Sequence, residues 1–407
     1  MNKTLLNLLY LFIVSPCFSR EIVVGVINDG PHANYPAWNS TIKRQKSDVI
    51  TLVKKELKRN FKNDTVTFKY IDYDESNLFK ASKDIEEQIK TLKPHIIFGP
   101  YSYKLLYYLK DTIQKSNIPF ISHNRYSGLR YLGNYYTPFE LNDVSIKLTL
   151  EKAKKMVKKV KPKIGAFVIV TDDYSKDTYE SVRKYVKDEI YTIKITHSKS
   201  EKYWTYKHKL DEDIKKMLEY SPDIILNPNS QDLDKISFEI ILKMINKAYK
   251  GIFIDSSSWG CSVITLDNYR NFFKHSKGQS TGLFAQQLKC FPDYEQDEKN
   301  FRNSVLHNDD KYYSSTGIFY KTLKHILTSI LKSKLQVNSK NIQKIIHKHS
   351  YFKGFSGEEY MLYKTKDSPE FLNIYKYYFE KIFRIEILFK SNLFLKKKNN
   401  SSKNKIN

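Results

Sequence analysis

Glu21-Ile22-Val23-Val24-Gly25-Val26-Ile27 carries no charge after its first residue and is dominated by β-branched side chains. A strand with one face in water alternates polar and apolar residues, so an unbroken apolar run reads as a strand covered on both faces, as in a parallel sheet. Asn28-Asp29-Gly30-Pro31 then forces a turn. From Ser47 to Phe61 the apolar residues Val49, Leu52, Val53 and Leu57 recur at helical spacing with lysines between them. Val66 to Ile71 reads as the next strand.

The alternation continues outward from there. Asp84 to Leu92 reads as a helix, Ile96-Ile97-Phe98 as a strand ending in Gly99-Pro100, Leu105 to Ser116 as a helix, and Pro119-Phe120-Ile121 as a strand running into a polar loop. Strands separated by single helices imply right-handed crossovers and a parallel sheet. A second series follows Asn142-Asp143, a pair suited to cap a helix whose inner face carries Val144, Leu148, Ala153, Met156, Val157 and Val160. It runs through a strand at Ile164 to Val170, a helix near Lys176 to Val186, a strand near Tyr191 to Ile195 and a helix near Leu210 to Leu218. Strands at Asp223 to Leu226 and Gly251 to Ile254 flank a further helix. A later strand is expected at Gly282 to Gln286, then a long helix with Phe319, Leu323, Ile326, Leu327 and Ile330 on one face. With 407 residues, 41% of them hydrophobic, the chain can bury two cores. The expected fold class is α/β, two doubly wound parallel-sheet lobes. No internal repeat is visible, so a solenoid is not expected.

The first residues have the layout of a secretory signal peptide: one early Lys3, an apolar stretch from Leu5 to Val14, then Ser15-Pro16-Cys17-Phe18-Ser19. The apolar stretch is about half of what a membrane-spanning helix needs. Cleavage after Ser19 is expected, because Pro16 stands where a small, flexible residue should precede a lipidated cysteine; lipidation at Cys17 is the alternative. No later apolar stretch is long enough to span a bilayer, so the mature chain is not expected to cross the membrane.

The formal charge of +25 raises a polyanion partner. Lysine is spread along the whole chain, mixed with Asp, Glu, Asn and Tyr, and no Arg-rich groove motif or paired-aromatic signature accompanies it, so no nucleic-acid partner is expected. Only Phe394 to Asn407, with Lys396, Lys397 and Lys398, reads as a disordered basic tail.

Catalytic signatures are missing. The sequence has no phosphate-binding Gly-rich loop with a following Lys-Ser or Lys-Thr, no zinc helix with paired histidines and no Gly-x-Ser-x-Gly elbow. Gly354-Phe355-Ser356-Gly357 is one residue short of that elbow and reads as a turn. His347 and His349 have no third ligand nearby in sequence and read as a solvated pair. Asp172 and Asp173 are adjacent, and adjacent carboxylates seldom converge on one substrate atom. No enzyme, metal or cofactor is expected. What remains are four loops at the carboxyl ends of strands, where open parallel sheets bind ligands. They are Gly99-Pro100-Tyr101-Ser102, Ser122-His123-Asn124-Arg125-Tyr126, Asp172-Asp173-Tyr174-Ser175 and Asp255 to Gly260. Their hydroxyls and backbone N–H groups suit carboxylates or sugars, and their aromatic rings suit an apolar or planar body.

These loops, in this order, resemble the type I periplasmic binding protein superfamily, especially leucine-binding proteins and the ligand-binding domains of glutamate-type receptors. The matching residues are Pro94 to Ser102, Ile118 to Ser122, Val168 to Tyr174, Gly251 to Gly260 and Phe352 to Gly357, spread over nearly all of the mature chain. The resemblance implies two lobes joined by a three-strand hinge, with a ligand trapped by closure. It implies lobe 1 from 20–141, lobe 2 from 142–254, hinge and return to lobe 1 from 255–350, a last part of lobe 2 from 351–391 and a tail from 392–407. Carried over residue by residue, Ser102, Ser122, Asn124 and Tyr126 hold the ligand from lobe 1, and Tyr174, Asp255, Ser257 and Trp259 approach from lobe 2. Two departures stand out. Ser257 occupies the place of the acidic residue that meets a ligand ammonium in many amino-acid-binding relatives, and Ser175 replaces the usual Gly.

The expected function is a periplasmic, monomeric solute-binding protein that captures a small polar ligand, an amino acid or similar, for an inner-membrane ABC permease. A ligand-sensing module that signals to a membrane receptor or kinase is the alternative, with an exported enzyme third. After cleavage only Cys261 and Cys290 remain, an even number in a compartment that can be oxidising. They follow a turn and a strand that could end side by side, so a disulfide is expected, worth about 3 to 4 kcal/mol for a loop of about 30 residues.

Overall fold

The computed structural model describes residues 20–28, 36–74, 76–100, 102–123, 132–138, 142–157, 159–196, 203–229, 236, 239–240, 243–244, 247, 249, 251–255, 283–285, 296–305, 314–353 and 359–364. The chain divides into two units. The first takes Met1–His123, Asn134–Tyr136 and Asp297–Gly354; the second takes Asn124–Gly133, Thr137–Gln296 and Phe355–Asn407.

In the first unit the opening apolar run is β1 (Glu21–Ile27), and β2 (Thr65–Ile71), β3 (Ile96–Phe98), β4 (Phe120–Ile121) and β5 (Tyr135–Thr137) lie beside it. The order among these five is β5-β4-β3-β1-β2, all parallel. Glu21 pairs with Thr65 at one end of the β1–β2 register and Ile27 with Ile71 at the other, while Val24 sits opposite Ile96 on the other side. Between the strands run α1 (Pro36–Asn60), α2 (Leu78–Leu92) and α3 (Tyr103–Ser116). The start of α1 lies eleven residues before the sequence reading placed it. Pro36 opens the helix, where a missing N–H does no harm, but the first three turns lack the apolar stripe that periodicity detects. Asn77 and Ser102 cap α2 and α3, their side-chain oxygens accepting from the N–H of Lys80 at 3.0 Å and of Leu105 at 3.3 Å.

The chain returns to this unit as α7 (Gln296–Val305), α8 (Ser314–Lys332), α9 (Ser339–Lys348) and β11 (Tyr351–Lys353). The face of α8 read from the sequence is buried: Phe319, Leu323, Ile326, Leu327 and Ile330 are all sealed from solvent. Polar bonds fix α8 against α1. Thr316 Oγ1 donates to Gln45 Oε1 at 2.8 Å, and Tyr320 and Lys324 both reach the Glu56 carboxylate at 3.0 Å. Arg20 forks onto Asp64 and also donates to the carbonyls of Leu331 and Ser333, joining the first strand to the end of α8. Charge-assisted forks of this kind are stronger and geometrically stricter than single bonds.

The second unit holds β6 (Ile164–Ile169), β7 (Ile190–Ile195), β8 (Ile224–Asn227), β9 (Ile252–Asp255) and β10 (Leu283–Ala285), parallel and in the order β10-β9-β8-β6-β7. Three helices lead into or between these strands: α4 (Asn142–Val157), α5 (Asp173–Tyr185) and α6 (Tyr203–Tyr220). Successive strand residues point to opposite faces, and both faces are covered. Ile164, Ala166 and Val168 pack with Ile146, Leu150 and Ala153 of α4 and Tyr179 and Val182 of α5. Phe167 and Ile169 pack with Leu210, Ile214 and Met217 of α6 on the other side. A doubly wound sheet explains why β6 and β8 read as continuous apolar runs. Burying each such side chain stabilises the fold by roughly 1.5 to 3 kcal/mol. Gly165 permits the close approach of α6, since a Cβ there would come within 2.4 Å of the Met217 sulfur.

Candidate functional site

Each sheet has one place where the winding direction reverses. In the first unit β2 lies on one side of β1 and β3 on the other, so the reversal falls between β1 and β3. In the second it falls between β6 and β8. The two connections that leave the carboxyl ends of such a strand pair run in opposite directions and leave a crevice. The strand ends there are Ile27 and Phe98 in one unit and Ile169 and Asn227 in the other.

Ile27, Gly99, Ser102, Ser122 and His123 lie at or just beyond the carboxyl ends of β1, β3 and β4. Gly99 has φ of 99°, and a Cβ would come within 3.1 Å of the Ile27 carbonyl oxygen, so glycine is required where the chain leaves β3. Its N–H donates to the Ile121 carbonyl at 2.8 Å, tying the β3 and β4 exits together. Ser122 is buried and its hydroxyl donates to the Pro100 carbonyl. Ser102, half-buried, places its oxygen on the first turn of α3. Asn28 donates its amide to Asp72 at 2.9 Å beside the exit of β1.

His123 follows β4. Its ring meets Phe319 edge to face at a centroid distance of 6.1 Å, and Nε2 lies 3.4 Å from Thr322 Oγ1. Burial, with a smaller push from the Lys46 charge, moves its pKa from 6.5 down to about 3, so the imidazole is neutral at every physiological pH. Because the unfolded chain takes up that proton near pH 6.5 and the folded one does not, stability is greatest above pH 6.5 and falls as the pH drops from there toward 3. The urea midpoint at pH 5 should lie below that at pH 7.5. In His123→Gln the gap should narrow; an unchanged gap would assign the acid sensitivity to other groups.

In the second unit Asp172 caps α5. Its Oδ2 accepts from the Ser175 N–H at 2.9 Å and from the Ser175 hydroxyl at 2.6 Å. Ser175 is fully buried, which accounts for a small residue at that position. Tyr174, in the first turn of α5, is half-buried. Asn229, wholly buried, holds the reversal point together: its Oδ1 accepts from the Ile169 N–H at 2.9 Å and its Nδ2 donates to the Phe167 carbonyl at 3.1 Å and to Asn227 Oδ1. It pairs with backbone that neighbouring strands leave open where they diverge, and its position in the sequence carried no signal for this. Asp255 is the last residue of β9, opposite Asn227 in the register. The side chain of Asp255, the residues Asn124, Tyr126, Ser257 and Trp259, and the cysteines Cys261 and Cys290 lie outside the described residues.

The two helix starts differ in charge. The α5 terminus already carries the Asp172 carboxylate, whereas α3 is capped by the neutral Ser102. A helix N-terminus attracts anions, and the cap of α3 adds no negative charge of its own. Among the described residues no three His, Cys, Asp or Glu side chains are placed to hold a metal, and no helix is long and apolar enough to cross a membrane.

Solved structures of solute-binding proteins share this arrangement. A leucine-binding protein, LivK, from Thermotoga maritima superposes with a TM-score of 0.56 at 12% identity, over 83% of this chain and 90% of that one. The chain has the type I periplasmic binding protein fold. The same fold is matched in LivJ, a branched-chain amino acid transporter substrate-binding protein from Streptococcus pneumoniae in complex with isoleucine (TM-score 0.53, 14% identity, 83% and 90% coverage). It is matched again in a fatty acid ABC transporter substrate-binding protein from Thermomonospora curvata (TM-score 0.56, 11% identity, 84% of each chain). No protein-family model and no curated protein matches the sequence.

Proposed function

We propose that this protein is an extracytoplasmic solute-binding protein that captures a small polar ligand by closure of its two units and delivers it to an ABC permease. The observation that carries the reading is the presence of two doubly wound sheets, each with a hydroxyl- and amide-rich reversal point at the carboxyl ends of its strands. Solute capture needs only hydrogen bonds and a change of exposure, and no nucleophile or metal. Leucine, isoleucine and fatty acids, named for the structural neighbours, share a carboxylate on an apolar body. A carboxylate fits best in the first unit, at the neutral α3 terminus beside Ser102 and Ser122, and Asn124 and Tyr126 add further contacts. Tyr174, Asp255, Ser257 and Trp259 contact the remainder from the second unit. Ser257 in place of an acid argues against a ligand ammonium in the usual position and favours a carboxylate without one. The protein acts as a monomer in the periplasm after loss of residues 1–19.

Native mass spectrometry of gently purified protein tests this directly, because a closed binding protein retains its cargo. The expected result is a single small-molecule adduct, and thermal stabilisation by short-chain carboxylates or amino acids. A chain that carries no adduct and is stabilised by neither class is not a solute-binding protein of this kind, and turnover of the bound compound would make it an enzyme.

A further inference from the structure

Arg20, the residue before β1, is bonded through its side chain, its carbonyl and its backbone nitrogen. The guanidinium donates from Nε to Asp64 Oδ1 at 3.1 Å and from Nη2 to Asp64 Oδ2 at 2.9 Å, and it reaches the carbonyls of Leu331 and Ser333 at the end of α8. The carbonyl accepts from the Thr65 N–H at 2.8 Å, where β1 and β2 begin to pair. The backbone nitrogen donates to Asp64 Oδ1 at 3.3 Å. Asp64 stands in the turn between α1 and β2, its own N–H bonded to the Phe61 carbonyl at 3.3 Å, and its side chain is only 13% exposed. One largely shielded carboxylate therefore faces both the side chain and the backbone nitrogen of residue 20.

That nitrogen belongs to the bond at which the leader is expected to be cut. Cys17-Phe18-Ser19 carries small residues at its first and third places, the pattern a signal peptidase accepts, so the scissile bond is Ser19–Arg20. Hydrolysis breaks this C–N bond. The hydroxyl of water joins the Ser19 carbonyl, its hydrogen goes to the Arg20 nitrogen, and the proton of the new carboxyl group passes through solvent to the same nitrogen. A neutral amide donor becomes an ammonium 3.3 Å from a carboxylate already in place. Hydrogen bonds between charged partners are about twice as strong as neutral ones, and partial burial limits their screening by salt. The guanidinium of Arg20 is a like charge on the same carboxylate and reduces the gain. The next acid in the chain, Glu21, accepts from the Thr67 hydroxyl at 3.2 Å.

We propose that cleavage between Ser19 and Arg20 makes the new terminal ammonium an ion-pair partner of Asp64, so that processing itself completes the anchor joining the start of β1 to β2 and to the end of α8. The precursor lacks this pair, and the fold reaches its full stability only once the leader is gone. The inference rests on the export proposed above but on no property of the ligand. Two measurements test it. Mass spectrometry of the exported protein should find Arg20 as its first residue; another start, or a lipidated Cys17, would overturn the proposal while leaving solute capture, read from the bound adduct, untouched. Released from a fusion so that Arg20 comes first, the chain should melt about 2 to 4 °C above the same chain retaining Phe18 and Ser19, which keeps the N–H but moves the charge away. Equal melts would overturn the proposal. In Asp64→Asn the two lengths should melt together, and a difference that persists would place the gain elsewhere. If Asp64→Asn does not fold, Arg20→Ala replaces it: this variant keeps Asp64 and the terminal nitrogen and should retain the difference, and its loss would assign the effect to the guanidinium.

Discussion

Phe319→Ala is expected to lower the melting temperature of the protein by about 10 °C. Phe319 is almost completely buried on α8, edge to face with Phe98 at the end of β3 and with His123 beyond β4, each at a centroid distance of 6.1 Å. Truncating a buried phenylalanine costs about 3 to 5 kcal/mol, because the lost transfer energy adds to a cavity that rigid strand ends cannot close. At about 2 to 4 °C per kcal/mol for a unit of this size, the shift reaches the figure given. The cavity would open beside the His123 imidazole, and water entering it would relieve the burial that holds that pKa at about 3. The variant should therefore be less stable at pH 7.5 and also lose less on acidification to pH 5. Scanning calorimetry at the two pH values reads both effects. A melt within about 2 °C of wild type would mean that α8 repacks freely and that the His123 environment does not depend on it.

The second large effect concerns ligand capture and rests on the proposed function. Ala in place of Tyr174 or Trp259 should weaken binding by about 2 kcal/mol, roughly thirtyfold, because these rings would add contact only after closure. Closure is favoured only by contacts the open state lacks, so both variants should still bind weakly and stay open. Small-angle scattering with and without ligand distinguishes the cases. Wild type should compact on binding and the variants should not. If Trp259→Ala melts early yet compacts normally, Trp259 supports the core and does not clamp the ligand. Ser102→Ala provides the contrast. It should weaken docking by about 0.5 to 1.5 kcal/mol and also loosen the α3 cap, so its melt must be measured alongside its affinity.

The strands of both sheets were legible wherever burial on two faces left an apolar run. Ile22 to Ile27, Ile96 to Phe98, Ile164 to Ile169 and Ile252 to Ile254 are strands within a residue or two of the bounds their sequence implies. β5 was missed because Tyr135-Tyr136-Thr137 is short and aromatic, with Asn134 and Gly133 before it, and resembles a loop until a neighbour supplies its hydrogen bonds. The four loops singled out from the sequence follow strand ends, and the Asp172 and Ser102 loops proved to be helix caps as well.

Local sequence determined which segments are strands, which are helices and where turns interrupt them, because those choices rest on side-chain period, backbone freedom at Gly and Pro, and capping oxygens within a few residues. It did not determine strand order. That order places the reversal between β1 and β3 in one unit and between β6 and β8 in the other, and it follows from which apolar faces cover one another across long separations. The same long-range packing seats Asn229 against Ile169, presses Phe319 on His123, and leaves Phe79, Tyr107 and Tyr108 in contact on the surface. Each of these side chains could have been a core or loop residue on its own chemistry; only the neighbours brought to it by the tertiary fold decide its role.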